Sequence, residues 1–259
     1  MTALVEKRRV ERVMGTTVSL AVPWGAEAAV LDEAFAWLHW VDRTFSVHRP
    51  DSQVSLLSAG AVAPGEAHHL VDEVLDRCAG LFLETDGCFD AWPAGPAGRV
   101  DPSGYVKGWS VDVAAALLAG AGVTDYCIAA GGDVRVAGCA EDGRPWRIGI
   151  QHPTERQAVA AVLAGTGLAV ATSGEYQRGA HIWGRAGARA LLSATVAGPR
   201  LGVADALATA LFAADGTSAG WFERFPGYDY LTIGTDQKVR WTPGMGRYLA
   251  ATGAGAGPR

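Results

Sequence analysis

Hydrophobic period changes along this chain in a way that sets its fold class. Between residues 26 and 119 three segments carry apolar side chains at helical spacing, separated by a Gly/Pro-rich loop at 59–66 and by CFDAWPAGPAGRVDPSG, where Pro and Gly stop regular structure. The run AEAAVLDEAFAWLHWVDRTFS places Val30, Ala34, Trp37, Leu38 and Val41 on one stripe. A second helix is expected over 69–85, and a third from Gly108 to Ala119 with Val111, Ala115 and Leu118 in phase. Beyond it the period shortens. YCIAAGGDVRVAG, WRIGIQHP, AVAAVLAGTGLAVATSG and ARALLSATVAG read as strands joined by glycine-containing turns. ERVMGTTVSLAVP supplies a strand ahead of the helices, VADALATALFAA returns to helix, and YDYLTIG with KVRWTPG forms a closing hairpin pair. Helices and strands are grouped rather than strictly alternating. The prediction is an α+β fold, a single domain with helices packed on a mainly antiparallel sheet.

Composition narrows the function classes. The chain has 259 residues, 49% of them hydrophobic and 19% charged, enough apolar material for a substantial core. Its net charge of −5, with one short basic cluster at Lys7–Arg9, argues against a nucleic-acid partner. Cys78, Cys88, Cys127 and Cys139 match no CxxC or zinc spacing, so reduced thiols are expected. The opening MTALVEKRRVERVMG lacks the apolar run of a secretory signal, and no segment has the length of a membrane span. A cytoplasmic protein is the resulting expectation. Residues 1–8 are read as an N-terminal extension, 9–250 as the domain, and the Gly/Ala-rich 251–259 as a disordered tail.

Four segments could carry chemistry. Asp205 and Thr209 lie four residues apart in an alanine-rich helix, so their oxygens share one face. Hard oxygen donors suit Mg²⁺ or Ca²⁺; alternatively, Asp205 caps the helix and Thr209 bonds a backbone carbonyl. In VDPSGYVKGWSVD, Gly104 and Gly108 bracket Lys107 at a helix entry, where phosphate could bind, although the P-loop pattern is absent. In AGGDVRVAG, Gly131, Gly132 and Asp133 mark a bulge, a close approach of a ligand or backbone, or a hairpin turn. In ATSGEYQRGAHIWG, Thr172, Ser173 and Gly174 end a strand and His181 begins another, as a structural residue or a general base.

In this order, MGT, FSVHRPDS, FDAWP, VDPSGYVKGWSVD, AGGDVRVAG, IGIQHP, ATSGEY, HI and ADALATAL resemble the ApbE family of flavin transferases, from Met14 to Phe212. The resemblance implies that family's single-domain, T-fold-like α+β architecture. It also implies a Mg²⁺-dependent FAD:protein FMN transferase, moving FMN from FAD to a threonine or serine hydroxyl of an acceptor protein with release of AMP. Two alternatives stay open: a Mg²⁺-dependent FAD pyrophosphatase yielding FMN and AMP, and a non-catalytic FAD-binding protein.

The same resemblance implies site residues. Asp205 and Thr209 match the metal side-chain ligands, and Gly104 the position whose carbonyl reaches the same ion. Met14, Cys88, Phe89, Asp90, Asp101 and Lys107 match flavin-nucleotide contacts. His48 stands where a tyrosine is usual, Ile182 lies beside the flavin, and His181 matches the histidine proposed to assist transfer. The family's HxxDP turn reads HIWGR, Ser58 replaces an asparagine, and Ala208 stands where some members carry a carboxylate. Trp92, Trp109 and Trp183 fall in motif loops, where they could stack on a flavin ring.

Overall fold

The structure is a computed structural model that describes residues 5–63, 65–92, 99–155, 157–174, 190–215 and 219–250. Two strands open it, β1 (Val5–Val13) and β2 (Thr16–Glu27). Four helices follow: α1 (Ala28–Phe45), α2 (Gln53–Ser58), α3 (His69–Glu84) and α4 (Ser103–Gly120). Then come β3 (Tyr126–Ala130), β4 (Asp133–Ala137), β5 (Trp146–Gln151), β6 (Val159–Gly165), β7 (Gly167–Gly174) and β8 (Leu191–Gly198). Helix α5 (Leu201–Ala213), β9 (Asp229–Gly234) and β10 (Val239–Trp241) complete it, with 3-10 turns at Ala219–Arg224 and Pro243–Arg247.

Eight strands form one sheet in the order β1-β2-β3-β4-β7-β8-β9-β10, and every pairing is antiparallel. Strands β5 and β6 form a separate two-stranded sheet inserted between β4 and β7. The helices cover one face of the large sheet, where Leu38 of α1, Leu118 of α4 and Leu207 of α5 join Leu20, Ile128 and Val196 in the main core. On the other face, Ile148, Ile150 and Leu163 of the small sheet pack with Val136, Leu168, Leu231 and Met245. Central strands are thus covered on both sides. That explains why β7 is buried at seven successive positions instead of alternating.

Two tight hairpins bring the sheet toward the helices. Val13 pairs with Thr16 across Met14 and Gly15, at φ 54° and 69°. Ala130 pairs with Asp133 across Gly131 and Gly132, at φ 57° and 93°. Left-handed backbone at both central positions gives a turn whose twist matches that of the strands it joins. The Gly-Gly of AGGD is therefore a hairpin turn, one of the alternatives open from sequence.

The α+β expectation holds, with local differences. Leu31 and Phe35 join Ala34, Leu38 and Val41 in the buried stripe of α1, while Val30 and Trp37 are only partly buried. Helix α4 begins at Ser103, five residues before the expected Gly108, so Gly104 and Lys107 are helical. Strand β1 begins at Val5, within the stretch read as an extension. The tail 251–259 lies outside the described residues. No helix among them is long and apolar enough to cross a membrane.

Candidate functional site

Helix α5 is apolar almost all round and buried, as a helix enclosed by neighbours must be. Asp205 is its conspicuous exception, 2% exposed. It is not a cap. The N-cap of α5 is Arg200, and Asp205 lies a full turn inside the helix. The Gly202 amide is instead satisfied from α4, donating to Asp112 Oδ2 at 3.0 Å. One of the two sequence-level alternatives for Asp205 is thereby removed.

Lys107 reaches Asp205 from α4, with Nζ 3.0 Å from Asp205 Oδ2. The same ammonium contacts Asp133 Oδ2 at the start of β4. Asp133 is fully buried, and its Oδ1 accepts a hydrogen bond from the Thr172 amide at 3.2 Å. Two buried carboxylates from a helix and a strand therefore meet one lysine from a second helix. Burial of such charges is tolerated only when they are paired and hydrogen-bonded.

Hydroxyls lie alongside. Thr209 Oγ1 is 3.3 Å from Ser173 Oγ, and Thr172 Oγ1 is 2.9 Å from Thr195 Oγ1. A Cβ on Gly104 would fall 3.4 Å from Thr209 Oγ1 and 3.2 Å from Phe89 Cε2, so the first turn of α4 rests against both residues. The backbone is close because Gly108 and Gly202 let α4 and α5 touch: a Cβ on Gly202 would meet Trp109 backbone atoms at 3.0 Å.

This donor set fits a hard divalent cation. One carboxylate from Asp205, one hydroxyl from Thr209 and the backbone near Gly104 are oxygen donors of the kind Mg²⁺ takes, leaving further positions to water or phosphate. Among the described residues no group of three or more His, Cys, Asp or Glu could hold a metal ion, so a cation here would rest on one carboxylate completed by hydroxyl, backbone, water or phosphate oxygens.

The other expected contact residues have surroundings of their own. Phe89 is buried, its amide donating to Thr85 Oγ1 at 3.0 Å. Cys88 is half-buried, and burial raises its thiol pKa. Asp90 is exposed and accepts from the Trp92 amide at 2.7 Å. Asp101 Oδ1 accepts from the Ser103 amide at 3.0 Å and so steadies the start of α4. Met14 Sδ lies 3.5 Å from Ser110 Oγ, which itself donates to Lys107 O at 2.7 Å.

His48 lines a groove of about 510 Å³ with Val47, Pro50, Ser55, Ser58 and Arg99. Ser58 Oγ accepts from the Val100 amide at 3.1 Å, tying α2 to the segment that leads into α4. Trp109 packs edge-on against Trp37 and Phe45 at 5.4 and 5.5 Å, a core position, whereas Trp92 is partly exposed. His181, Ile182 and Trp183 lie outside the described residues.

The structure thus brings Gly104, Lys107, Phe89, Asp205 and Thr209 together, with Met14 beside the same helix. It adds Asp133, Thr172 and Ser173, which sequence reasoning noted but did not place in the site. The available signal was the Gly-Gly pair ahead of an aspartate, a hairpin that delivers Asp133 to the helical face.

Comparison with known proteins bears on the family and the fold. A model described as the ApbE family matches residues 14–97 and 92–231. A Vibrio cholerae FAD:protein FMN transferase is 37% identical over 125 residues, 43% of this chain and 37% of that protein. A Rhodobacter capsulatus protein of the same name is 43% identical over 83 residues, 32% of this chain and 16% of its own length. The chain therefore aligns with well under half of these relatives.

Among solved structures, the ApbE protein of Thermotoga maritima superimposes with a TM-score of 0.79 at 19% identity, covering 95% of this chain and all of that one. The flavin transferase ApbE of Vibrio cholerae gives 0.78 at 23% identity, covering 95% and 100%. At these identities the likeness establishes the fold. With the family model matching nearly the whole described domain, this chain belongs to the ApbE family.

Proposed function

We propose that the protein is a Mg²⁺-dependent FAD:protein FMN transferase that acts on a cytoplasmic acceptor protein. The observation that carries this reading is the buried meeting of Lys107 with Asp205 beside Thr209 and Gly104. A pyrophosphate needs fixed positive charge and hard-cation ligands in one place, and these residues supply both. The names of the aligned relatives support the same activity.

Asp205, Thr209 and the Gly104 carbonyl would hold Mg²⁺, which when bound supplies neutralisation of phosphate charge and a template for the reacting groups. Lys107 adds an ammonium that offsets charge on the departing AMP phosphate. The acceptor hydroxyl oxygen forms a bond to the FMN phosphorus while the bond to the bridging oxygen breaks, and AMP leaves. His181 would take the hydroxyl proton, a role that rests on the family resemblance. Phe89, buried against Gly104, keeps that face of α4 apolar. Met14 and the His48 groove would contact the nucleotide and flavin.

Incubation with FAD and Mg²⁺, with and without a protein bearing a Ser/Thr flavinylation site, tests the reading. Release of AMP with covalently fluorescent acceptor is expected. AMP with free FMN would replace transfer by pyrophosphate hydrolysis, and bound FAD without AMP would overturn both activities.

A further inference from the structure

Asp133 occupies a place that the reaction outlined above does not use. It is fully buried and directly follows a left-handed Gly-Gly turn. Its strand is paired on both sides, with β3 and with β7. Oδ1 is committed to the Thr172 amide at 3.2 Å, which fixes the carboxylate with Oδ2 against the Lys107 ammonium. Lys107 is the shared partner, a long side chain whose Nζ also lies 3.0 Å from Asp205 Oδ2. Asp205 consequently faces two claimants, the lysine ammonium and any divalent cation.

We infer that Asp133 is a positioning residue that retains the Lys107 ammonium, so that Asp205 is left to a divalent cation. The inference rests on reading Asp205 and Thr209 as cation ligands. Without a second carboxylate, the ammonium would settle on Asp205 and repel an arriving cation at close range, where like charges in a poorly solvated site interact strongly. With Asp133 behind it, the ammonium keeps a counter-charge when Asp205 turns to the ion, and it remains available for phosphate. The Gly131–Gly132 turn makes this possible. A Cβ on Gly131 would lie 2.8 Å from Thr16 Oγ1, so the hairpin is closely seated against β2.

The test uses Mn²⁺, which takes the same hard oxygen donors, and the full-length protein free of nucleotide. Binding is followed by loss of the free-ion electron paramagnetic resonance signal. Asp133→Asn retains an oxygen for the Thr172 amide and removes the charge; it should weaken Mn²⁺ binding about 10-fold or more. Combining it with Lys107→Met should bring affinity back to within about twofold of Lys107→Met alone. An aspartate that acted only through its hydrogen bond to the Thr172 amide would not be rescued by deleting the lysine.

Equal weakening with and without Lys107 would overturn the inference, as would unchanged affinity in Asp133→Asn. Asp133→Ser serves as a second charge-removing variant, and loss of cooperative folding in both would assign Asp133 to stability instead. A wild-type protein that fails to bind Mn²⁺ would overturn this inference together with the cation reading. Normal wild-type binding with no rescue would overturn this inference alone.

Discussion

A Cβ added to Gly108 would fall 2.6 Å from the carbonyl carbon of Leu201 and 2.8 Å from the nitrogen of Gly202. The backbones of α4 and α5 therefore touch at a point one residue from Lys107 and a few residues from Asp205. Gly108→Ala must push the helices apart. It should destabilise the fold by about 1–3 kcal/mol, the usual range for overpacking. Urea denaturation measures this, and a midpoint equal to that of the parent protein would contradict so close a helix contact.

Asp205→Asn removes the buried charge that faces Lys107 while preserving side-chain size. Turnover of FAD should fall about 100-fold or more, the scale of lost electrostatic stabilisation at a reacting centre. Circular dichroism should show an unchanged fold. Full activity at ordinary Mg²⁺ concentrations would remove Asp205 from the set of cation ligands.

Asp112 serves structure rather than chemistry. It is 5% exposed, caps the Gly202 amide and lies 3.6 Å from Arg135 Nε and 3.7 Å from Arg200 Nε. Asp112→Ala should cost about 3–5 kcal/mol, because it leaves a largely buried guanidinium without this counter-charge. Asp112→Asn, which retains an acceptor for the amide, should lose less. Chemical denaturation of the two variants side by side checks the order.

Alkaline pH should unfold the protein progressively. Burial pushes the Cys78 thiol and the Tyr105 and Tyr228 phenols up to about 12, and Cys127 to about 11. The unfolded chain gives up these protons first, from the ordinary values of 9.0 for thiols and 10.0 for phenols. It therefore binds fewer protons than the native state as pH rises through this window, and stability falls. The contribution is complete below about pH 9 and is lost toward pH 12. Urea midpoints at stepped pH measure the decline, and Cys78→Ala should make it shallower between pH 9 and 12.

Sequence alone determined what depends on neighbours along the chain. Period and local apolar pattern located α1, α3 and α5 to within a few residues. Helical spacing placed Asp205 and Thr209 on one face before any tertiary contact was known. Local rules misjudged α4, whose Gly104 and Gly108 weaken intrinsic helix preference and suggest a loop. In the fold those glycines are what let α4 lie against Phe89 and Leu201, and packing outweighs propensity. Strand β1 was obscured for a related reason: VEKRRVERV is charge-rich because it lies at the sheet edge, where polar side chains discourage further pairing.

Only the tertiary structure decided which charge meets which. Lys107 and Asp133 lie 26 positions apart, one on a helix and the other on a strand, and no periodicity links them. The Gly131–Gly132 turn, the antiparallel register of β4 with β7 and the glycine contact between α4 and α5 together bring Lys107, Asp133 and Asp205 to one point. Once these groups leave water, pairing with one another and hydrogen bonds such as that from the Thr172 amide to Asp133 offset the cost of burying them. A pattern along the sequence reports which side chains are to be buried, whereas their partners are set by the packing of distant segments.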